Sequence, residues 1–222
     1  MTTGIHTDNE FFSILGQAVR FRDLTEHATN LWDKQAFSTA TIFFCITSVE
    51  AAANSLLRLV VLNPKLEELV DKFPAIAKFD LVANSRNATL DRGSSPTQNI
   101  AKLIRLRNVM VHPKISTRTV EYETHPGDEN YTKKHRIVDD TPIDGSNYLA
   151  IANDAVRATI AFLNYVVKDL LKLSDSDAAN YLLPIPPMTL PAYEISALRA
   201  LKKYECEGVT VKFINLPDIP GD

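Results

Sequence analysis

The most constraining feature of the chain is the stretch from Thr39 to Leu62, its most apolar segment, in which Glu50, Asn54 and Arg58 recur every four residues. Four-residue spacing places these three side chains in one line along a helix. A helix apolar everywhere except for one polar line is suited to the middle of a helical bundle. It is poorly suited to lipid, where charged groups in a span are costly. The expectation is therefore a long buried rod from about Lys34 to Leu62. It ends at Asn63-Pro64, because the residue before a proline is pushed out of helical geometry.

The same periodicity predicts further helices around that rod. Residues 10–30 carry Phe11, Phe12, Ile14, Leu15, Val19 and Leu24 at helical spacing. Pro64 and Pro74 each open a short helix, since proline is tolerated in a first turn. Asp91 to Pro96 reads as a loop. Thr97 to about His112 is again helical and is bounded by Pro113. The segment 115–138 changes character, with two β-prone runs around His125-Pro126-Gly127-Asp128-Glu129-Asn130, the pattern of a β-hairpin. A third long helix runs from Asn147 to Leu173. Ser174 caps a shorter one that reaches Leu183, ahead of the proline-rich linker Pro184-Ile185-Pro186-Pro187. A helix from Ala192 to Tyr204 and a strand-like run from Val209 to Ile214 complete the chain. These elements predict an all-α fold, an up-and-down helical bundle with an inserted β-hairpin at about 115–138 and a small C-terminal α+β appendage. The bundle domain covers 1–183 and the appendage 184–222.

Charge narrows the functional classes. The chain of 222 residues has a formal net charge of −3, so its overall field does not mark a general binder of nucleic acid or membranes. Yet the segment from Arg92 to Arg118 holds Arg92, Lys102, Arg105, Arg107, Lys114 and Arg118 with no acid, a local +6 that leaves −9 for the rest. A polyanion would find one attractive face. The two cysteines, Cys45 and Cys206, are too far apart and too few for a disulfide framework, and Cys45 reads as a small buried hydrophobe. The polar start, Met1 to Asn9, lacks the basic and apolar pattern of a targeting segment, so the cytoplasm is the expected compartment. Trp32, Tyr122 and Tyr131 are expected to pack in the core or the hairpin.

Phosphate-binding loops, dinucleotide fingerprints, zinc-protease motifs, Cys-x-x-Cys pairs and nucleophile elbows do not occur in the sequence. His125, His135, Asp139 and Asp140 have no second ligand pair spaced for zinc, so neither a metal nor a cofactor is expected. What stands out is Arg105-Leu106-Arg107-Asn108-Val109-Met110-Val111-His112-Pro113-Lys114. With 11 Arg and 5 His, an Arg-x4-His spacing arises about 0.25 times by chance, and a second copy does occur at Arg22 and His27. Requiring Asn after the Arg lowers the expectation to about 0.016. Only the later copy has an apolar interior and a helix-stopping proline.

Arg107-Asn108-x-x-x-His112 resembles the Arg-x(4–6)-His motif of the HEPN superfamily, including the polar residue after the Arg. Ser48-Val49-Glu50-Ala51-Ala52-Ala53-Asn54 resembles a Ser-x-Glu-Ala-x-x-Asn pattern of the second long helix in such domains. The resemblance covers about 40–170, apart from the hairpin. It implies a helical bundle that dimerises so that two motifs face one cleft, and a metal-independent endoribonuclease in the active members. His112 would act as acid or base, Arg107 would clamp the phosphate, and Asn108 would orient His112. Lys102, Arg105 and Lys114 would hold the RNA backbone, while Glu50 and Asn54 would line the cleft or form a structural stripe. An RNA substrate, a second copy of the chain, and an antitoxin or defence-system protein are the implied partners.

The position two residues after the His is Lys114. The tyrosine that some family members offer there for modification is absent, so an antitoxin acting through it is not supported. Residues five apart lie about 140° apart around a helix, so Arg107 and His112 do not share a face of an ideal one. A non-catalytic HEPN-like dimerisation or nucleic-acid-binding module is the rival reading. The plainest one is a helical bundle whose Arg107 and His112 serve only as cations at a helix C-terminus.

Overall fold

A computed structural model describes residues 10–111, 120–122, 135–137, 147–183, 192–206 and 210–216, and within them the chain is mostly helical. Eight α-helices are seen among the described residues: α1 (Phe11–His27), α2 (Leu31–Leu57), α3 (Pro64–Asp71), α4 (Ala75–Ser85), α5 (Ser95–Val111), α6 (Tyr148–Asn164), α7 (Asp175–Leu182) and α8 (Ala192–Cys206). Two three-residue strands, β1 (Val120–Tyr122) and β2 (His135–Ile137), pair antiparallel with Glu121 opposite Arg136. They fall inside the 115–138 segment, whose remaining residues lie outside the described ones.

Local chemistry accounts for three of the helix starts. The side chain of Asn30 accepts a hydrogen bond from the Asp33 amide and starts α2. Asn63 does the same for the Leu66 amide with Pro64 in the first turn of α3, and Ser174 caps α7 through the Asp177 amide. An N-cap oxygen satisfies one of the amides a helix start leaves without a partner.

Two long helices end earlier than their periodicity suggests. Helix α2 stops at Leu57, not Leu62. Arg58, Leu59 and Val60 turn off it through amide bonds to the carbonyls three residues back, at 3.4, 3.0 and 2.9 Å. The rod expected over 147–173 is α-helical only to Asn164. Tyr165–Leu170 winds as a π-helix, with the Leu171 amide reaching the Val166 carbonyl at 2.9 Å. In the other direction, α5 begins at Ser95, inside the expected loop, after a turn in which Asp91 Oδ1 accepts from the Gly93 amide and Ser94 Oγ donates to Thr97 Oγ1.

Helix α2 is the centre of the packing and meets α1, α4, α5, α6 and α7. Its buried side, which includes Ile42, Cys45, Ile46, Val49, Ala52, Ala53 and Leu56, follows the three-and-four spacing of one helix face. By length and composition Leu31–Leu57 is one helix long and apolar enough to cross a membrane, and half of its most apolar window is buried within the fold. Phe79 and Phe162 meet edge to face at 5.2 Å below it. Trp32, expected in the core or hairpin, is instead 81% exposed in the first turn of α2, before the helix enters the bundle.

The described residues after 183 pack on the bundle itself. Ala197, Leu198, Leu201, Tyr204, Val211, Phe213 and Ile214 belong to the same hydrophobic cluster as α1, α2 and α6. Helix α8 lies against α1 so closely that a Cβ added to Gly16 would fall 2.2 Å from the Ala197 Cβ. Glycine is what permits this approach. The strand expected over 209–214 is irregular chain across its described residues. Among the described residues no strand lies beside it to supply a ladder, and the Asn164 side chain holds its backbone instead. Its Oδ1 accepts from the Lys212 and Phe213 amides at 2.7 and 2.9 Å, and its Nδ2 donates to the Thr210 carbonyl at 3.0 Å.

Candidate functional site

The polar line on α2 is satisfied by a different helix at each step. Glu50 meets Arg107 of α5, with Nη2 donating to Oε1 at 2.7 Å. Asn54 accepts from Lys78 Nζ of α4 at 2.6 Å. The Arg58 guanidinium lies 5.9 Å from the ring centre of Tyr181 on α7. The two sequence motifs, 57 positions apart, are thus joined by one ion pair across the α2–α5 contact. The Arg107 side chain is 25% exposed and that of Glu50 48%. A pair this wet contributes about 0.2–1 kcal/mol, because solvent screens it and both side chains lose rotamer freedom.

Asn108, the next residue, is exposed, so the two described members of the Arg-Asn motif diverge, as a step of about 100° per residue requires. Arg105 is also exposed, and its Nε makes only a long 3.4 Å bond to the Ala101 carbonyl. Lys102 is exposed on the side of α5 that faces α6. His112 and Lys114 lie outside the described residues. The basic segment is less free than its +6 suggests: Arg92 is paired with Asp80 as Arg107 is with Glu50. Among the described residues, Lys102 and Arg105 are its exposed cations that stand outside an ion pair.

Two features of this region were not anticipated from sequence. Lys78 is only 6% exposed, and its Nζ also donates to the Asp71 carbonyl at 2.8 Å, with the Asp71 carboxylate at 3.8 Å. A cation in an otherwise apolar stripe, Ala75, Lys78, Phe79 and Val82, is a signal that the sequence carries. A buried ammonium is tolerable only when its hydrogens are spent on acceptors. With partners on α2 and α3, Lys78 clamps both helices to its own, α4.

The second feature is a groove of about 640 Å³ between α5 and α6. Its wall on α5 includes Asn99, Lys102, Leu103 and Leu106, and its wall on α6 includes Asp154, Arg157 and Ala158. Tyr204 of α8 stands behind that wall. Burial raises its phenol above the ordinary value, opposed by the Arg22 and Arg157 charges and by a hydrogen bond with Arg157. Arg22 is itself buried and bonds Asn153 Oδ1 at 2.6 Å and Glu26 at 2.7 Å. The earlier Arg-x4-His copy is therefore a structural knot of α1, α6 and α8. Its His27 ring meets the Asp23 carbonyl at 2.7 Å.

Cys45 is fully buried. Loss of solvation pushes its thiol up to about 12, against a hydrogen bond with Thr159. It is a core group with no thiolate to offer at neutral pH. Among the described residues there is no cluster of three or more His, Cys, Asp or Glu able to hold a metal.

Comparison of the chain with family models, with curated proteins and with solved structures yields no match. The fold and site define a mostly helical protein with one core, in which two polar motifs on neighbouring helices meet through a carboxylate–guanidinium pair.

Proposed function

We propose that the chain is a HEPN-like, metal-independent endoribonuclease of toxin or antiviral-defence type, built as an up-and-down bundle with an inserted hairpin and acting as a cytoplasmic homodimer. The observation that supports this reading is the Glu50–Arg107 pair. It ties the Ser-x-Glu-Ala-x-x-Asn segment to the Arg-Asn-x-x-x-His segment at 2.7 Å, and so fixes one rotamer of the arginine that the motif needs at the phosphate.

The chemistry requires few groups. One His112 imidazole takes the proton of the RNA 2′-hydroxyl, and the 2′-oxygen attacks the adjacent phosphorus. The 5′-oxygen departs and takes a proton from the imidazolium of the second copy. Arg107 carries the negative charge that builds on the phosphoryl oxygens, and its planar fork suits that task better than a lysine. The products are a 2′,3′-cyclic phosphate and a 5′-hydroxyl. An imidazole near its ordinary pKa can exchange protons at neutral pH.

The same ion pair also favours a second reading, a non-catalytic dimerisation or RNA-binding module in which Arg107 braces α5 on α2. Incubation of the protein with structured RNA in EDTA separates the two. Cleavage by the wild type, abolished in His112→Ala and Arg107→Ala with the fold retained, is the expected result. Full activity in both variants refutes the nuclease mechanism. A folded wild type that binds RNA without cutting it moves the assignment to the binding module.

A further inference from the structure

From the groove between α5 and α6 we infer a binding site for a nucleoside phosphate, taken as one nucleotide of an RNA strand beside the Arg107 motif. The inference rests on the reading of α5 as an RNA-binding helix. It adds a subsite whose second wall, α6, contains no part of the sequence motifs.

The size and the lining carry the argument. About 640 Å³ lies within the range of small-molecule sites, about 300–1,000 Å³, and such sites combine an apolar bed with a few convergent polar groups. Here the bed is Leu103 and Leu106 on one wall and Ala158 on the other. Alanine on α6 leaves the depth that a flat base needs. Lys102 and Arg157 bring one cation from each wall, an arrangement that fits a phosphate bridging the groove mouth. Asn99 and Asp154 add a carboxamide and a carboxylate, which together offer the donors and acceptors that the edge of a base or a ribose hydroxyl presents. One carboxylate against two cations leaves the groove net positive, so the ligand is an anion with an apolar or aromatic body. A simple inorganic ion would leave the bed unused.

Position links the groove to the proposed chemistry. Lys102 is five residues from Arg107 on the same helix, a rise of about 7.5 Å with a turn of about 140°. A strand whose phosphate meets Arg107 on the α2 side of α5 can pass over the exposed Arg105 and Asn108 and reach Lys102 on the α6 side. This accounts for cations on two sides of α5 with one polyanion.

The test uses the full chain, a fluorescein-labelled single-stranded RNA hexamer and free AMP as competitor, with binding read by polarisation across a salt series. Lys102→Ala is expected to weaken hexamer binding and to lower the slope of log affinity against log salt by about 0.7, the increment that each neutralised phosphate of a single strand contributes. Ala158→Leu fills the bed without touching a charge. It is expected to abolish the groove contribution, weakening the hexamer and removing AMP competition. If Ala158→Leu does not fold by circular dichroism, Ala161→Leu, at an exposed position on the same wall, carries the same measurement.

A hexamer that is sensitive to the filled groove while AMP never competes assigns the site to polymeric RNA. Competition by AMP extends it to free nucleotides. Wild-type affinity in the filled variants overturns the groove, and leaves the nuclease reading standing if EDTA-resistant cleavage persists. Groove-dependent binding without any cleavage refutes the nuclease reading and keeps the subsite. A wild type that binds neither RNA nor AMP refutes both.

Discussion

Gly16→Ala puts the packing of the C-terminal region to a test with two opposite signs. Gly16 is an interior residue of α1, and alanine is the better helix former there by about 0.5–1 kcal/mol. From local propensity alone the variant is more stable. The structure reverses that sign. The new methyl would lie 2.2 Å from the Ala197 Cβ and 2.5 Å from its Cα, whereas carbon atoms at rest sit about 3.5–4.0 Å apart. Backbone atoms cannot rotate away, so α8 has to retreat by about 1 Å or more. Leu198, Leu201 and Tyr204, all almost fully buried, retreat with it.

Overpacking of this kind costs about 1–3 kcal/mol. After the propensity gain, a net loss of about 1–2 kcal/mol is expected. For a chain of this size about 2–4 °C accompanies each kcal/mol, so Tm falls by roughly 2–8 °C. Urea unfolding followed by circular dichroism supplies the free energy, and hydrogen exchange shows whether α8 loses protection first. A second variant, Ala197→Gly in the Gly16→Ala background, removes the 2.2 Å clash but leaves the 2.5 Å one, so rescue is partial. A Gly16→Ala protein more stable than the wild type by about 0.5 kcal/mol or more would refute the docking of α8 on α1.

Three further outcomes follow from single sites. A double-mutant cycle on Glu50→Ala and Arg107→Ala should return a coupling of about 0.2–1 kcal/mol by urea unfolding, because Glu50 is half-exposed; a coupling above about 2 kcal/mol would mean a far drier pair than the structure holds. Asn164→Ala withdraws the partner of three backbone groups around Thr210 and Phe213. At about 0.5–1.5 kcal/mol per bond the expected loss is about 1.5–4.5 kcal/mol, with faster hydrogen exchange at the Lys212 and Phe213 amides. Cys45 stays protonated in the folded chain up to about 12, while an unfolded thiol ionises near 9.0. The folded state therefore holds the extra proton, and the stability it confers is complete below pH 9 and is lost as pH rises toward 12. The slope, at most about 1.4 kcal/mol per pH unit, is read as the difference between wild type and Cys45→Val; identical slopes would place the thiol in water.

Which elements are legible in the sequence follows from how local their causes are. Asn63-Pro64 and Ser174 mark the starts of α3 and α7 with their own side chains, and no tertiary knowledge is needed to read them. The end of α2 is hidden because Leu59, Val60 and Leu62 continue the apolar pattern after the backbone has left the helix. The tail misleads for the same kind of reason. Val211, Phe213 and Ile214 alternate and branch like a strand, yet the amides there are held by one side chain 49 residues away at most. At the site, Glu50, Asn54 and Arg107 are legible singly. Their partners are not, since Lys78 and the Glu50–Arg107 pairing take their places only when α2, α4 and α5 are brought together.

The Glu50–Arg107 pair bears on both functional readings, and the donor count of arginine decides how far they compete. A guanidinium carries five N–H donors in a rigid fork, and the bond to Glu50 uses Nη2 alone. A phosphate can approach the remaining edge of the fork without displacing the carboxylate. Glu50 then costs affinity, by offsetting the local charge, but it fixes the arginine in one orientation, which lowers the rotamer entropy that a clamp must otherwise lose on binding. A pure brace has no use for that free edge. The consequence is a sign that separates the two roles: in a clamp, Glu50→Gln, which keeps a hydrogen-bond acceptor and removes the charge, should tighten RNA binding, whereas in a brace it should shift stability alone.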